Sequence, residues 1–417
     1  MDQPRAVVIG GGIGGLTAAV ALHQRGWAVT VLERAPALTP VGAGLGLTPN
    51  AQRALDVIGL GDTVRSLSAW QGDGGLRAPG GRWLSRTSAE AAADRFGGPV
   101  VLVHRATLIS LLASALPEGV VRTGTAATLA DPGGTGHRAR VTAPDGGEWE
   151  ADLVVGADGI DSRVRRALFP GHPGPRYTGF TTWRLVVPAP ERPFVPHETW
   201  GRGRLWGTQP LKDGRVYAYA MAPASADAHA PDGERAELLR LFGEWHDPVP
   251  RIIRAVDPGQ VLRHDVHEMS VPLPAYHHGR TALLGDAAHA MQPTVGQGGN
   301  QAIEDAVVLA HHAGPGHDSP DSPDSPDSSD TSDTSGIPAA LAAYSAARLP
   351  RTTAIVRQAA RTGRLIAVTS PAATVLRDTA IATVSRLVPG LLLRGFAGIA
   401  DWHPPRRTYA AGTAHPS

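Results

Sequence analysis

The sequence predicts an α/β fold: a parallel sheet carrying helices, a smaller β-rich domain inserted into it, and helices at the C-terminal end. Three observations carry this. Ala6–Ile9, Thr17–Arg25 and Ala28–Leu32 read as strand, helix and strand, with a glycine-rich turn after the first. Such a βαβ unit forces its two strands to run parallel. Two later apolar runs, Leu153–Val155 and Thr281–Leu284, also end in Gly/Asp turns. From Pro175 to about Met269 the texture changes to Trp, Tyr, Thr and Val with turn residues between.

The elements follow in order. After the βαβ unit and the two later strands, Gln301–His311 carries Ala302, Ile303, Ala306, Val307 and Ala310 at helical spacing. Within the β-rich stretch, Val216 to Met221 alternates like a strand with one covered face. Residues near Trp70 to Phe96 are expected to add strands there. Gly314 to Gly336 repeats Asp every third residue with Ser, Thr and Pro between, and has no large apolar anchor; a disordered acidic insertion is expected. Ala339 to Ala400 reads as helices interrupted at Pro350, Pro371 and Pro389, their apolar faces expected to cover the core. The implied division is a discontinuous nucleotide-binding domain at 1–72, 97–174 and 270–363, a β-rich substrate domain at 73–96 and 175–269, and a helical segment at 364–417.

Composition narrows the function. Among 417 residues, 39 basic side chains face 38 acidic ones, a net charge of +1. That balance gives no electrostatic case for nucleic acid. There is no cysteine, which excludes disulfides, thiolate catalysis and cysteine-ligated metal. A strand pattern beginning at Arg5 leaves no room for a signal peptide. The uncharged stretch Leu365–Leu376 falls short of the roughly 20 residues of a membrane span. The expectation is a soluble, cytoplasmic protein without integral membrane contact. His311, His312 and His317 beside the acidic repeat have no fixed geometry, so no metal site is expected.

Gly10-Gly11-Gly12-Ile13-Gly14-Gly15 fits GxGxxG. Gly10 makes the tight turn, Gly12 lets backbone N–H groups approach a pyrophosphate, and Gly15 lets helix and strand pack closely. The helix N-terminus adds a partial positive charge. Glu33, followed by Arg34, ends the second strand, where a carboxylate accepts hydrogen bonds from ribose hydroxyls. The unit is Rossmann-like, and these residues alone leave FAD and NAD both open.

Two further motifs decide between them. Gly156-Ala157-Asp158-Gly159-Ile160-Asp161-Ser162-Arg163 follows one strand; Gly285-Asp286-Ala287-Ala288-His289 follows another, with Pro293 and Gly296-Gln297-Gly298-Gly299-Asn300 beyond it. With the fingerprint, they resemble the single-component FAD-dependent aromatic hydroxylases, the para-hydroxybenzoate hydroxylase-like family, in its salicylate- and urate-hydroxylase-like branch. The likeness runs from Ala6 to about Arg361. It implies FAD as cofactor, with Asp286 on a ribityl hydroxyl and Gly296, Gly298, Gly299 and Asn300 beside the flavin's pyrimidine edge. Pro293 would stand at the oxygen-reacting face, Arg105 near ribityl and phosphates, Asp158 in a motif touching FAD and NAD(P)H, and the segment holding Gly44 and Gly46 along the flavin. His289 has no proton-transfer role in the family and reads as structural.

No second dinucleotide fingerprint is present: Gly42-Ala43-Gly44 is followed by Leu47, and Gly201-Arg202-Gly203 by Trp206, where glycines are required. NADPH or NADH is therefore expected as a transient reductant. The resemblance implies hydroxylation of a small aromatic or heteroaromatic molecule with O₂ through a flavin C4a-hydroperoxide, in a monomer or homodimer. An epoxidase or reductase on the same fold, or a flavin-binding protein without turnover, are the alternatives. The pocket roof is expected from Trp183, Arg184, Trp200, Trp206, Tyr217, Tyr219 and Met221, and no general base announces itself among His264, His267 and Tyr217.

Overall fold

The computed structural model describes residues 3–38, 43–67, 74–88, 90, 98–314, 334, 336–387, 397–405 and 409. Gly42, Trp70, Pro389 and most of the acidic repeat, 315–333 and 335, lie outside them.

Arg5–Ile9 sits at the centre of a six-stranded sheet in the order 277–278, 281–283, 153–156, 5–9, 28–32, 121–122. Val8 pairs in parallel with Val155 on one side and Val31 on the other. All four residues of Leu153–Gly156 are buried, as in a parallel sheet covered on both faces. Helices Ile13–Gln24 and Gly298–His312 pack together beside it. Gly14 permits this: a Cβ there would lie 2.7 Å from Leu284 Cδ1 and 3.0 Å from Ala302 Cβ.

A seven-stranded sheet follows in the order 262–268, 176–188, 215–223, 205–210, 197–200, 74–77, 83–87. The last two strands come from the stretch near Trp70 to Phe96, as expected. Alternation divides its two faces. Val216, Ala218 and Ala220 pack with Trp183, Trp206 and the helices Glu234–Phe242 and Val249–Ala255. Trp183 and Trp206 are thus core residues on the far face and not part of a pocket roof. Tyr217, Tyr219 and Arg184 occupy the opposite face, Arg184 directly across from Tyr219.

Two expectations need correction. Helix Ile337–Ile366 runs unbroken through Pro350. The missing N–H and ring clash cost about 3 kcal/mol, but Arg348 and Arg351 anchor the helix to Glu304 on either side. His277 and His278 form an antiparallel edge strand. Helix Pro371–Leu387 does not cover the core with its apolar face: its buried residues are Thr374, Arg377 and Asp378. A meander of 128–131, 139–142 and 148–151 went unread in the sequence, its strands being short and polar.

Candidate functional site

The glycine turn is built as its spacing requires. Gly10 has φ +114°, and a Cβ there would meet Ala157 O at 2.3 Å; a Cβ on Gly15 would meet Gly10 O at 2.0 Å. Around Gly12 a Cβ would meet nothing within 4 Å. Gly12 also opens helix Ile13–Gln24, whose N-terminus has no side-chain cap and no acidic residue in its first turn. An open cradle at an uncapped helix N-terminus suits a pyrophosphate. Glu33 is held beside it, accepting from Gly11 N at 2.6 Å and Ala35 N at 2.8 Å. A carboxylate keeps two further acceptor positions, enough for ribose hydroxyls. Arg34 is exposed.

Asp158 does something more local than its motif suggested. Its carboxylate accepts from Ser162 Oγ and from the backbone N–H groups of Arg163 at 2.7 Å and Val164 at 3.1 Å. It therefore caps helix Arg163–Leu168. Arg165 from that helix donates to Ala287 O at 3.0 Å, tying it to the next loop.

That loop presents Asp286. Gly285 takes φ +61° and donates to buried Asp305 Oδ2 at 2.9 Å. Asp286 then stands exposed, and a Cβ on Gly298 would lie 3.8 Å from its Oδ1. Pro293–Val295 forms a short 3₁₀ turn with Pro293 exposed, and Gly296 adopts φ +62°. Asn300 stitches helix Gly298–His312 to strand Gly44–Leu47: its Nδ2 donates to Gly46 O at 2.9 Å and its Oδ1 accepts from Thr48 N at 2.9 Å. Leu45 lies 3.3 Å from a Cβ position on Gly299. Arg105 starts helix Arg105–Ser114 and donates its backbone N–H to Ala43 O. Desolvation, then repulsion by Arg184, lowers its pKa, while Asp286 opposes both. The two arginines and Asp286 thus lie close enough to influence one another's charge.

These loops match one family. The FAD binding domain signature spans residues 5–312, most of the chain. The chain belongs to the FAD-dependent aromatic hydroxylases. Aurachin C monooxygenase/isomerase of Stigmatella aurantiaca is 36% identical over 86% of this chain and 88% of its own. 3-Amino-4-hydroxybenzoate 2-monooxygenase of Streptomyces cremeus is 34% identical, over 86% of each. HpxO of Klebsiella pneumoniae, solved with FAD and uric acid, aligns over 95% of this chain and 97% of its own, with TM-score 0.81 and 28% identity. The protein is a flavoprotein monooxygenase, and FAD is its cofactor.

In this hydroxylase the seven-stranded sheet faces strand Gly44–Leu47. Tyr217 lies directly over Gly44: a Cβ there would be 2.3 Å from its Cδ1. Tyr219 covers Gly207 in the same way, at 2.0 Å from Cζ, and the two tyrosine rings lie with centroids 5.4 Å apart, tilted by 34°. Burial pushes the Tyr217 hydroxyl up to about 12 and Tyr219 further, so both are protonated donors at neutral pH. Tyr219 donates to Glu198 Oε1 at 2.6 Å and Trp200 Nε1 to Glu198 Oε2 at 3.0 Å. Burial raises the Glu198 carboxyl, with those two bonds opposing. Arg184 Nη2 donates to His264 Nδ1 at 3.0 Å, while its buried Nε has no hydrogen-bond partner. His264 is lowered by burial, then by Arg184 and Arg105, which keeps it an acceptor.

Sequence reading missed the support behind the Asp286 loop. Buried Arg348 donates to Asp305 Oδ1 and Glu304 Oε2, both at 2.6 Å. His289 Nε2 meets Asp305 Oδ2 at 2.5 Å, and Asn50 Nδ2 donates to Glu304 Oε1 at 2.6 Å. Burial alone would raise Asp305, but His289 and Arg348 hold it well below the usual carboxylate range. The available signal was an adjacent Glu-Asp pair inside an apolar helix, where unpaired charge is costly. Glu198 left no such signal.

Proposed function

We propose that this hydroxylase consumes NADPH or NADH and O₂ to hydroxylate a small aromatic or heteroaromatic ring that carries an acidic group. The ring lies between the Tyr217/Tyr219 face and the Pro293–Asn300 turn. The observation that carries this reading is the unpartnered Nε of Arg184, buried on the sheet face that covers Gly44. A buried guanidinium N–H without an acceptor is costly, and an anionic substituent would supply one. Two of the relatives are named for urate and for an aminohydroxybenzoate, both compact rings with acidic groups.

The chain's residues divide the work. The Gly10–Gly15 turn and Glu33 hold the AMP half of FAD, Asp286 and Arg105 the ribityl–phosphate region, and Gly296 to Asn300 the isoalloxazine edge. Backbone N–H groups at that helix N-terminus favour negative charge on the ring system. FAD bound there supplies the redox chemistry, accepting hydride from the nicotinamide and activating O₂ for transfer to the substrate. Arg184 and Arg105 orient the substrate anion, and Tyr217 and Tyr219 present neutral hydroxyls. The packed Tyr217 and Tyr219 rings exclude water, which would otherwise divert reducing power to peroxide.

Anaerobic reduction of the holoenzyme by NADPH and by NADH, with and without a panel of hydroxylated aromatic and heteroaromatic acids, followed by O₂ and mass analysis, tests this. Faster flavin reduction with one compound and a product heavier by one oxygen are expected. Hydrogen peroxide as the sole product across the panel overturns it.

A further inference from the structure

Helix Pro371–Leu387 is inverted relative to an ordinary surface helix. Its inward side holds Thr374, Arg377 and Asp378. Its outward side, a roughly 200° arc at 100° per residue, carries Val375, Leu376 and Leu387 among alanines and threonines. These three, at 66%, 72% and 76%, are the most exposed large aliphatics of the described residues, and Leu365 at the end of the preceding helix is 51% exposed. The helix is held in this orientation: Arg377 Nη1 donates to Leu365 O at 3.0 Å and Nη2 to Gly201 O, while Arg377 and Asp378 pair at 2.8 Å. The apolar face is therefore fixed outward.

On its own stretch of chain the exposed charge has one sign. Arg361, Arg364 and Arg386 are exposed. Between residues 351 and 400 the sequence contains one acidic residue, Asp378, which is buried and already neutralised. An apolar strip flanked by arginines, with no exposed carboxylate among the described residues of its own two helices, fits an anionic lipid surface. A second copy of the chain fits it poorly, because a two-fold interface would set this arginine-rich patch against an identical one, with no exposed carboxylate from these helices to pair with.

We propose that the face formed by Leu365, Val375, Leu376 and Leu387, with Arg361, Arg364 and Arg386, docks the enzyme peripherally on an anionic lipid bilayer. The aliphatic side chains enter the headgroup boundary, and the guanidinium groups pair with lipid phosphates. Ile366, next to exposed Leu365, packs inward on Leu205, Met221 and Tyr219. The docked surface therefore adjoins the cluster behind the Tyr219 wall, and the enzyme would be held with that wall close to the bilayer.

The test uses the FAD-loaded full-length protein in sedimentation with vesicles of phosphatidylcholine, alone or mixed with phosphatidylglycerol. Binding is expected to the mixed vesicles, with release in about 1 M salt, where the screening length falls to about 3 Å. Replacing Arg361, Arg364 and Arg386 together by Gln is expected to weaken partitioning on the order of a hundredfold, from about fivefold per arginine. Val375→Ser with Leu376→Ser should weaken it separately. Both variants change exposed side chains, so flavin absorbance and melting temperature should stay at wild-type values; the two sets are independent should one misfold. Absent or equal binding to both vesicle types overturns the proposal. So does a dimer in light scattering that the Val375/Leu376 variant disperses, which would make the face a protein interface.

Discussion

Arg348→Met removes the guanidinium that serves two buried carboxylates. Asp305 Oδ1 loses its 2.6 Å partner, and no other donor among the described residues reaches that oxygen. Asp305 Oδ2 keeps His289 and the Gly285 N–H. Glu304 keeps Arg351 and Asn50. Breaking one partner of a buried pair costs about 3–5 kcal/mol; the surviving partners place this variant near the lower end, at about 3 kcal/mol. The pH dependence follows from the depressed Asp305 pKa. Its stabilising contribution is present above the unfolded carboxylate value of about 3.9 and is lost as pH falls below it. The variant's deficit is therefore largest near about pH 7 and shrinks toward about pH 4, where its carboxylates take up protons and no longer need the cation. Urea denaturation of wild type and variant at both pH values measures this. FAD affinity should also fall, by about tenfold, because Asp305 holds the Gly285 N–H that sets the Asp286 loop. A deficit below about 1 kcal/mol near neutrality, or one equal at both pH values, would refute the electrostatic account.

Gly12→Ala should leave apoprotein stability within about 0.5 kcal/mol, since its Cβ meets open space, yet raise the FAD dissociation constant at least about tenfold by filling the cradle; equal affinity by flavin fluorescence titration contradicts the pyrophosphate placement. Asp286→Ala likewise changes an exposed, unbonded carboxylate, so FAD affinity should drop while the apoprotein melting temperature holds. Gly44→Ala pushes on the Tyr217 ring and should raise KM for the substrate more than it lowers FAD content; the reverse pattern would move Tyr217 out of the pocket wall. Burial lowers His197 to about 4, so the folded state resists its protonation. Stability should fall by up to about 3 kcal/mol from about pH 6.5 to about pH 4, and His197→Phe should remove that part of the slope in denaturant titrations.

What the sequence determined by itself was backbone geometry. Gly10, Gly15, Gly285 and Gly296 mark places where a side chain cannot fit or φ is positive, and those constraints are local. The parallel sheet followed from the βαβ unit for the same reason. The alternation of Tyr217 and Tyr219 with Val216 and Ala218 was equally visible, but alternation does not say which face meets the core. Tertiary packing decided that: helices Glu234–Phe242 and Val249–Ala255 claimed Trp183, Trp206 and the valine–alanine side, leaving the tyrosines and Arg184 toward Gly44. It also decided Pro350, because ion pairs to Glu304 from residues distant in the chain outweigh a local propensity. Charge pairing at long range is invisible in a periodic pattern. Arg348 lies more than 40 residues from the adjacent Glu304 and Asp305; the three become one unit only when two helices are set side by side, and through Asp305 that unit holds the turn on which Asp286 stands.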